Sequence, residues 1–238
     1  MSGWKAKRFW AAATVTADAG GFSVMLDARP LRTPAKAPLV LPTRAMAEDI
    51  ASEWLAVDGT VDPRQMPVTR AANAAIDKVT PQFDEVAGLI AAYGGTDHLC
   101  YRAGAPDELT RAQAAAWDPL LDWAAETLGA PLTTTHGVVP VAQPEPSLAR
   151  LRAHVFACSA FQLAALHDLV SLTGSLVLGL AATSPDFDPE ALWRLSRFDE
   201  DWQSSRWGED GQASAIAEVK RGDFLRAGHF WRISATPA

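Results

Sequence analysis

The chain has 238 residues, of which 28 are acidic and 21 are lysine or arginine, so its formal net charge is −7. Hydrophobic residues make up 48% of it and charged residues 21%, a composition typical of globular proteins and not of disordered chains. The acidic excess argues against a nucleic-acid partner, because phosphate binding requires clustered lysine and arginine. The length predicts one large domain or two small ones.

The N-terminal region is basic and has β-strand patterns. Residues 1–44 contain seven bases and two acids, whereas the rest of the chain contains 14 bases and 26 acids. Apolar stretches at residues 10–16 and 22–27 flank a turn with two glycines and predict a β-hairpin. Residues 39–41 predict a further short strand. The opposite charges of the two parts suggest two domains.

A helix is predicted directly after these strands. Thr43 is a suitable N-cap, and Met46, Ile50 and Trp54 recur every four residues and therefore share one helix face. The helix is expected to end near Asp58 and Gly59, and a proline-containing connector follows. We predict an α+β protein with a small β-rich N-terminal domain, residues 1–66, and a larger, mostly α-helical C-terminal domain, residues 67–238.

The C-terminal region is predicted to be mainly helical. Apolar spacing and helix-end signals predict helices over residues 68–79, 81–93, 107–128, 189–207 and 213–230. Pro119 is expected to kink or break the third of these, because it lacks an amide donor. Residues 131–143 are expected to be extended, and residues 147–182 to form two buried helices.

The sequence predicts a cytoplasmic protein that is not inserted in a membrane. No signal-peptide apolar region follows the basic start, and the most apolar uncharged stretch, residues 169–185, is too short to span a bilayer. The two cysteines, Cys100 and Cys158, are too few for a disulfide scaffold. We expect them to be buried thiols in a reducing compartment.

One short segment could carry catalytic chemistry. Asp97, His98 and Cys100 lie close together in the sequence and could form a nucleophile pair or a small metal site. However, neighbouring residues seldom converge, and the sequence has no phosphate-loop, dinucleotide-binding or nucleophile-elbow motif. The alternative is a structural loop in which Asp97 caps a turn and Arg102 forms an ion pair.

The acidic charge is concentrated near the C-terminus. Residues 184–212 contain eight acids and three arginines. Asp199, Glu200 and Asp201 are consecutive and spread over about 200° of an ideal helix. One interpretation is a solvated face with an Arg197–Asp201 ion pair four residues apart. The other is a carboxylate presented to a basic partner surface.

Several motifs, in order along most of the chain, together resemble one protein family. They include Lys7-Arg8-Phe9-Trp10, Leu26-Asp27-Ala28-Arg29-Pro30-Leu31-Arg32-Thr33-Pro34-Ala35-Lys36, Glu53-Trp54, Cys100-Tyr101-Arg102, Trp117-Asp118-Pro119 and the acidic window at residues 196–208. Many separate motifs in order are more specific than any single one. The chain resembles the assembly chaperones of the F-type ATP synthase catalytic head that act on its α subunit.

The resemblance implies a β-rich N-terminal domain joined to a larger helical one, in agreement with the patterns above. It also implies a chaperone that binds the unassembled α subunit and shields the surface destined for the β subunit until the head assembles. Such a surface is a large apolar patch and an aggregation hazard when it lacks its partner. No cofactor, metal or enzymatic turnover is implied, and we expect a monomer.

The resemblance also assigns residues. Glu200 aligns with a functionally important acidic position of the family, and its neighbours are expected to share in partner binding: Arg197, Asp199, Asp201, Gln203 and Trp207. Other motif positions are interpreted as structural: Trp54, Asp27, Arg29, Asp97, Tyr101, Arg102, Trp117 and Asp118. The chain departs from the family at Asp199, where glutamate is usual, and over residues 209–213.

Two other functions remain open at this point. One is a small-molecule enzyme that uses Asp97, His98 and Cys100. The other is a general acidic adaptor for a different basic partner, whose binding would weaken with salt and would not be selective for the α subunit.

Overall fold

A computed structural model describes residues 7–235. Lys5, which belongs to the basic N-terminal region, and the other residues of 1–6 lie outside the described part, as do residues 236–238. The chain forms two units. The first contains the chain up to Phe83, the segment Ser159–Ala165 and the segment that starts at His229, and the second contains Asp84–Cys158 and Leu166–Gly228.

An antiparallel sheet belongs to the first unit. Strand β1 (Ala13–Asp18) pairs with β2 (Gly21–Leu26) along its full length, which confirms the predicted hairpin. Two short strands, β3 (Arg29–Pro30) and β4 (Val40–Leu41), pair with opposite ends of β2. Strand β2 is therefore the centre of the sheet, and its Val24 and Leu26 side chains are buried.

Gly21 stands where β2 passes close to β4. Its φ is +150°, and a Cβ added there would lie 2.1 Å from the carbonyl oxygen of Leu41. At the neighbouring Gly20, a Cβ would meet only the Val40 side chain, at an ordinary 3.8 Å. A glycine is therefore required at position 21 and not at position 20.

We expect Gly21→Ala to lower the free energy of unfolding by about 2 kcal/mol or more, because the strand must move to relieve a backbone clash. Gly20→Ala is the matched control and is expected to change it by less than about 1 kcal/mol. Urea unfolding followed by tryptophan fluorescence measures both. Equal losses in the two variants would contradict the close approach of β2 and β4.

Two helices complete the N-terminal part of the first unit. Helix α1 (Arg44–Leu55) begins at Thr43, whose hydroxyl accepts the Met46 N–H at 3.2 Å, as the N-cap prediction requires. It ends at Leu55, earlier than predicted. Helix α2 (Pro67–Ala74) continues into a π-helical turn, Ala75–Val79. The Glu53 carboxylate on α1 accepts two N–H groups at the start of α2.

The core of the first unit uses residues from distant parts of the sequence. Ala165 and Phe230 are buried in it together with residues of β2, β4, α1 and α2. The Thr43 hydroxyl also donates to the carbonyl of Ile233 at 2.5 Å. The units therefore differ from the predicted division into residues 1–66 and 67–238, because Glu53 joins α2 to α1 and because later segments supply part of this core.

The rest of the chain is mainly helical, which confirms the α+β class. The helices are α3 (Phe83–Ala92), α4 (Asp107–Thr127), α5 (Glu145–Phe156), α6 (Ala160–Thr173), α7 (Leu176–Ala181), α8 (Pro189–Ser196), α9 (Phe198–Trp207) and α10 (Gly211–Ser234). Two short strands, β5 (Tyr101–Arg102) and β6 (Thr135–His136), pair in parallel. No helix within residues 7–235 is long and apolar enough to cross a membrane.

Several predicted elements differ from the observed ones. Helix α4 continues through Pro119 without a break. Residues 147–182 form parts of three helices, not two. One break lies at residues 157–159, between α5 and α6, and the other follows α6, where Gly174 has a φ of +68° and the Ser175 side chain caps α7. Residues 131–143 are mostly irregular and contribute only β6. Residues 189–207 form two helices, because Arg197 leaves the helical conformation at φ −106°, ψ 9°.

The second unit has its own core, built around large aromatic and aliphatic side chains. Trp117 and Phe224 are fully buried, and Leu169, Val177 and Leu192 pack in the same cluster. Trp193 packs on Phe224 with ring centroids 5.7 Å apart. This core fixes the C-terminal end of α8 and hence the direction in which the acidic helix α9 leaves it.

Candidate functional site

A buried tryptophan holds the break between α8 and α9. The Trp117 indole N–H donates to the carbonyl of Leu195 at 2.9 Å, on the α8 side of the break. The Trp117 ring also packs edge-on against Phe198, the first residue of α9, with centroids 6.0 Å apart. Because the same side chain contacts both helices, it sets the position of α9 relative to the core of the second unit.

A groove of about 500 Å³ lies along α9, the following loop and the first turns of α10. Five carboxylates and two guanidinium groups line it, so its charge is acidic. Five of the six residues predicted to bind a partner line it: Arg197, Glu200, Asp201, Gln203 and Trp207. The other charged groups of the lining are Arg194, Glu209, Asp210 and Glu218.

The charges within the groove are only partly paired. The Arg197 guanidinium donates to the Glu200 carboxylate at 2.8 Å, three residues along the helix. The predicted Arg197–Asp201 pair is therefore wrong: the break at Arg197 points its side chain to Glu200 instead. Burial raises the pKa of Asp201 above its usual value; the nearby Arg197 lowers it and Glu200 raises it further. Because five carboxylates face two guanidinium groups in the lining, the groove can accept a further positive charge.

Trp207 gives the groove an exposed aromatic rim. Its side chain is 79% exposed, and Gly208, with a φ of +92°, ends α9 directly after it. Tryptophan is enriched among the residues that dominate binding energy at protein interfaces. An exposed indole beside carboxylates is thus suited to another protein and not to a small ion.

Asp199 does not reach this groove. Its carboxylate accepts the side-chain N–H of Gln113 at 2.7 Å, and Gln113 is almost completely buried. The Gln113 carbonyl in turn accepts the Ala103 N–H at 2.7 Å. Asp199 therefore attaches α9 to α4, and the structure separates it from the five predicted residues that line the groove.

Sequence reasoning missed the contribution of α10. Ser214, Ala217 and Glu218 line the groove, together with Glu209 and Asp210 of the preceding loop. In the sequence, residues 209–213 depart from the family pattern, and Glu209 and Asp210 belong to the acidic stretch 184–212. A signal was present, because aspartate is a preferred helix-capping residue and the Asp210 carboxylate accepts the Gln212 N–H at 2.9 Å.

The structural motif residues of the second unit surround Trp117. Arg102 is buried, forms an ion pair with Asp118 at 2.5 Å and stacks on the Trp117 ring at 5.1 Å from its centroid. Tyr101 packs against the same core and pairs with Thr135 in the small parallel sheet.

The structural motif residues of the first unit fix the chain next to the sheet. The Asp27 carboxylate accepts the N–H groups of Ala11 and Ala12, at 3.1 and 2.9 Å. The Arg29 guanidinium lies 5.2 Å from the centroid of Phe9. Trp54 is half-buried and packs edge-on against Trp10 at 5.0 Å, and its carbonyl accepts the Trp10 indole N–H.

The Asp97, His98 and Cys100 cluster has the geometry of a structural loop. Asp97 is fully buried and accepts the N–H groups of Leu99 and Val177, so it caps both a 3₁₀ turn and α7. The His98 ring packs on Trp117 at 5.0 Å. Burial, with a smaller effect of Asp97, raises the pKa of Cys100 to about 12. A thiol with this pKa is protonated at neutral pH and is a weak nucleophile.

Neither cysteine is expected to react quickly with iodoacetamide in the native protein at neutral pH. Cys100 is buried, and burial also raises the pKa of the half-buried Cys158 to about 11, so both thiolate populations are very small. Both should react once the protein is unfolded in urea. Mass spectrometry of the alkylated protein checks this, and fast native labelling of Cys100 would instead favour the enzyme hypothesis.

No three His, Cys, Asp or Glu side chains in the described chain are grouped so that they could hold a metal ion. The candidate site is the groove formed by α9, the loop that follows it and the start of α10.

Comparison with known proteins agrees with this interpretation. The ATP12 chaperone protein family matches residues 7–125, half of the chain. Two solved structures of Atp12 from Paracoccus denitrificans, one of them of an aspartate-to-lysine mutant, are similar to this chain with 52% identity and a TM-score of 0.95. Each match covers 98% of this chain and 100% of the other.

The Atu1473 protein of Agrobacterium tumefaciens is similar at 40% identity and a TM-score of 0.92, over 96% of this chain and 86% of that one. These matches confirm the family resemblance found in the sequence motifs. The chain belongs to the ATP12 chaperone protein family.

Proposed function

We propose that this protein is an assembly chaperone of the F-type ATP synthase that binds the unassembled α subunit of the catalytic head. It covers the α-subunit surface destined for the β subunit and leaves as the head assembles. It does so as a monomer in the bacterial cytoplasm, without ATP, a cofactor or catalysis. Membership of the ATP12 chaperone family supports the general role, and the groove along α9 and α10 supports the site.

The observation that carries the proposal is the exposed Trp207 indole at the edge of an acidic groove. A half-exposed Glu200 carboxylate, already oriented by Arg197, lies in the same groove. An aromatic anchor supplies apolar burial, and the carboxylates select a partner with a basic side chain nearby. We therefore expect the client surface to combine an apolar patch with at least one arginine or lysine.

The direct test uses the two subunits of the catalytic head separately. The tagged chaperone is mixed with purified α subunit or purified β subunit, and complexes are measured by size-exclusion chromatography with light scattering. We expect an equimolar complex with α and none with β. Equal binding to both subunits, or to neither, would contradict the proposal.

The acidic-adaptor hypothesis predicts a different pattern. An adaptor held mainly by charge would bind many basic proteins and would lose them as salt rises. A pull-down from lysate at low and at high ionic strength separates the two possibilities. The proposed chaperone should keep the α subunit at high salt, because burial of Trp207 does not depend on ionic strength, whereas other basic proteins should be lost.

A further inference from the structure

The first unit contains a second cavity, separate from the groove of α9 and α10. It encloses about 660 Å³, within the range of ~300–1,000 Å³ that is typical of ligand sites. Apolar side chains supply much of its lining: Pro34, Trp54, Val61, Pro63 and Met66. We refer to it as the Trp54 cavity.

Several buried side-chain polar atoms at the Trp54 cavity have no hydrogen-bond partner. Five buried side-chain polar atoms in residues 7–235 make no hydrogen bond, and four of them belong to residues that line this cavity. They are Trp54 Nε1, Thr69 Oγ1, Asn73 Oδ1 and Asp77 Oδ1. Thr69 is only 6% exposed. Buried polar groups in folded proteins are nearly always paired, so four unpaired ones at a single cavity indicate a ligand.

These atoms include both hydrogen-bond donors and hydrogen-bond acceptors. The Trp54 indole can only donate a hydrogen bond, the Asp77 carboxylate can only accept one, and the Thr69 hydroxyl can do both. The other Asp77 oxygen already accepts the Ala35 N–H at 3.1 Å, so this side chain is held in place. A ligand that satisfies them must therefore offer both an acceptor and N–H or O–H donors, as the backbone of an extended peptide does.

The charged groups at the cavity are mainly basic. Arg32, Arg70 and Lys78 line it together with the single carboxylate of Asp77. Arg32 donates to the carbonyl of Lys36, whereas Arg70 and Lys78 are exposed and form no ion pair with the described residues. An acidic group on the ligand would be attracted to these two side chains.

We propose that the Trp54 cavity binds a short extended segment of another protein, in which an acidic side chain stands next to an apolar one. The apolar side chain of the bound segment packs on Trp54 and Met66, and its backbone forms hydrogen bonds with the unpaired polar atoms. Its acidic side chain forms ion pairs with Arg70 and Lys78. The site goes beyond the proposed function, because it lies in the first unit and takes a ligand of the opposite charge to that of the α9–α10 groove.

The test uses synthetic probes and no ATP synthase subunit. A fluorescein-labelled peptide of alternating valine and aspartate is titrated with the full-length protein, and a valine–lysine peptide serves as the comparison. Binding is followed by fluorescence anisotropy, and in ¹⁵N-labelled protein by the Trp54 indole resonance, which Trp54→Phe identifies. We expect only the acidic peptide to bind and to shift this resonance, because the free N–H gains an acceptor.

Thr69→Val makes the test specific for the unpaired hydroxyl. The substitution keeps the shape of the side chain and removes a buried polar atom that has no partner. We expect the thermal midpoint to rise by roughly 2–4 °C and the dissociation constant for the acidic peptide to rise by about fivefold to tenfold. A hydroxyl with a purely structural role would give a lower midpoint, which would overturn the proposal.

Charge reversal tests the rim of the cavity. Arg70→Glu should weaken acidic-peptide binding by about tenfold or more. Arg150→Glu, an equivalent change on the exposed surface of α5, is the matched control and should leave it unchanged. Equal effects of the two variants, or equal binding of the two peptides, would overturn the proposal and would leave the α-subunit proposal untouched, because that site lies in the second unit.

Discussion

Replacing Glu200 with lysine is expected to weaken α-subunit binding by at least about tenfold, because it turns an attractive charge at the proposed interface into a repulsive one. Glu200 is half-exposed, and among residues 7–235 its side chain pairs only with Arg197. A surface pair of this kind stabilises a protein by about 1 kcal/mol at most, so the fold should be unaffected. Isothermal titration with purified α subunit measures the affinity, and thermal unfolding measures the stability.

The matched control for this substitution is Glu126→Lys. Glu126 is an exposed glutamate on α4 that does not line the groove, so the same change in net charge occurs elsewhere in the second unit. Glu126→Lys should bind the α subunit as the wild type does. Equal weakening by both variants would mean that net charge and not the groove determines binding, as the acidic-adaptor hypothesis requires.

Local sequence patterns were sufficient to predict the elements whose ends are set by local chemistry. The turn between β1 and β2 contains two glycines, and α1 begins at a threonine that caps it. The end of α8 could not be predicted in this way. No proline or glycine stands at Arg197, and the apolar spacing continues through it. The break depends on Trp117, which is 78 residues away from Leu195 in the sequence.

The residues that form the site could also be predicted only in part from the sequence. Glu200, Asp201 and Trp207 were identified from a contiguous motif, and the structure places them together in one groove. Asp199 belongs to the same motif but turns to Gln113, which lies 86 residues earlier in the sequence. Partners at such distances leave no periodic signal in a single sequence. Contacts between distant residues also explain why each unit is made of separate chain segments. Ala165 and Phe230 pack in a core formed mainly by the first 83 residues.

Trp117 therefore connects the core of the second unit to the proposed binding surface. Its indole is fully buried, holds the end of α8 by a hydrogen bond and packs on the first residue of α9. Arg102 stacks on the Trp117 ring and forms an ion pair with Asp118. Loss of this side chain should affect both the stability of the unit and the orientation of α9.

Trp117→Ala is expected to lower the free energy of unfolding by about 3–5 kcal/mol, because it leaves a large cavity in a closely packed core. Trp117→Phe keeps most of the ring packing but removes the donor to Leu195, and should cost about 1–2 kcal/mol. Urea unfolding gives both values. Trp117→Phe should also bind the α subunit more weakly at temperatures where it is fully folded, because α9 loses its fixed position. Unchanged affinity in that folded variant would show that the hydrogen bond to Leu195 is not needed to orient the groove.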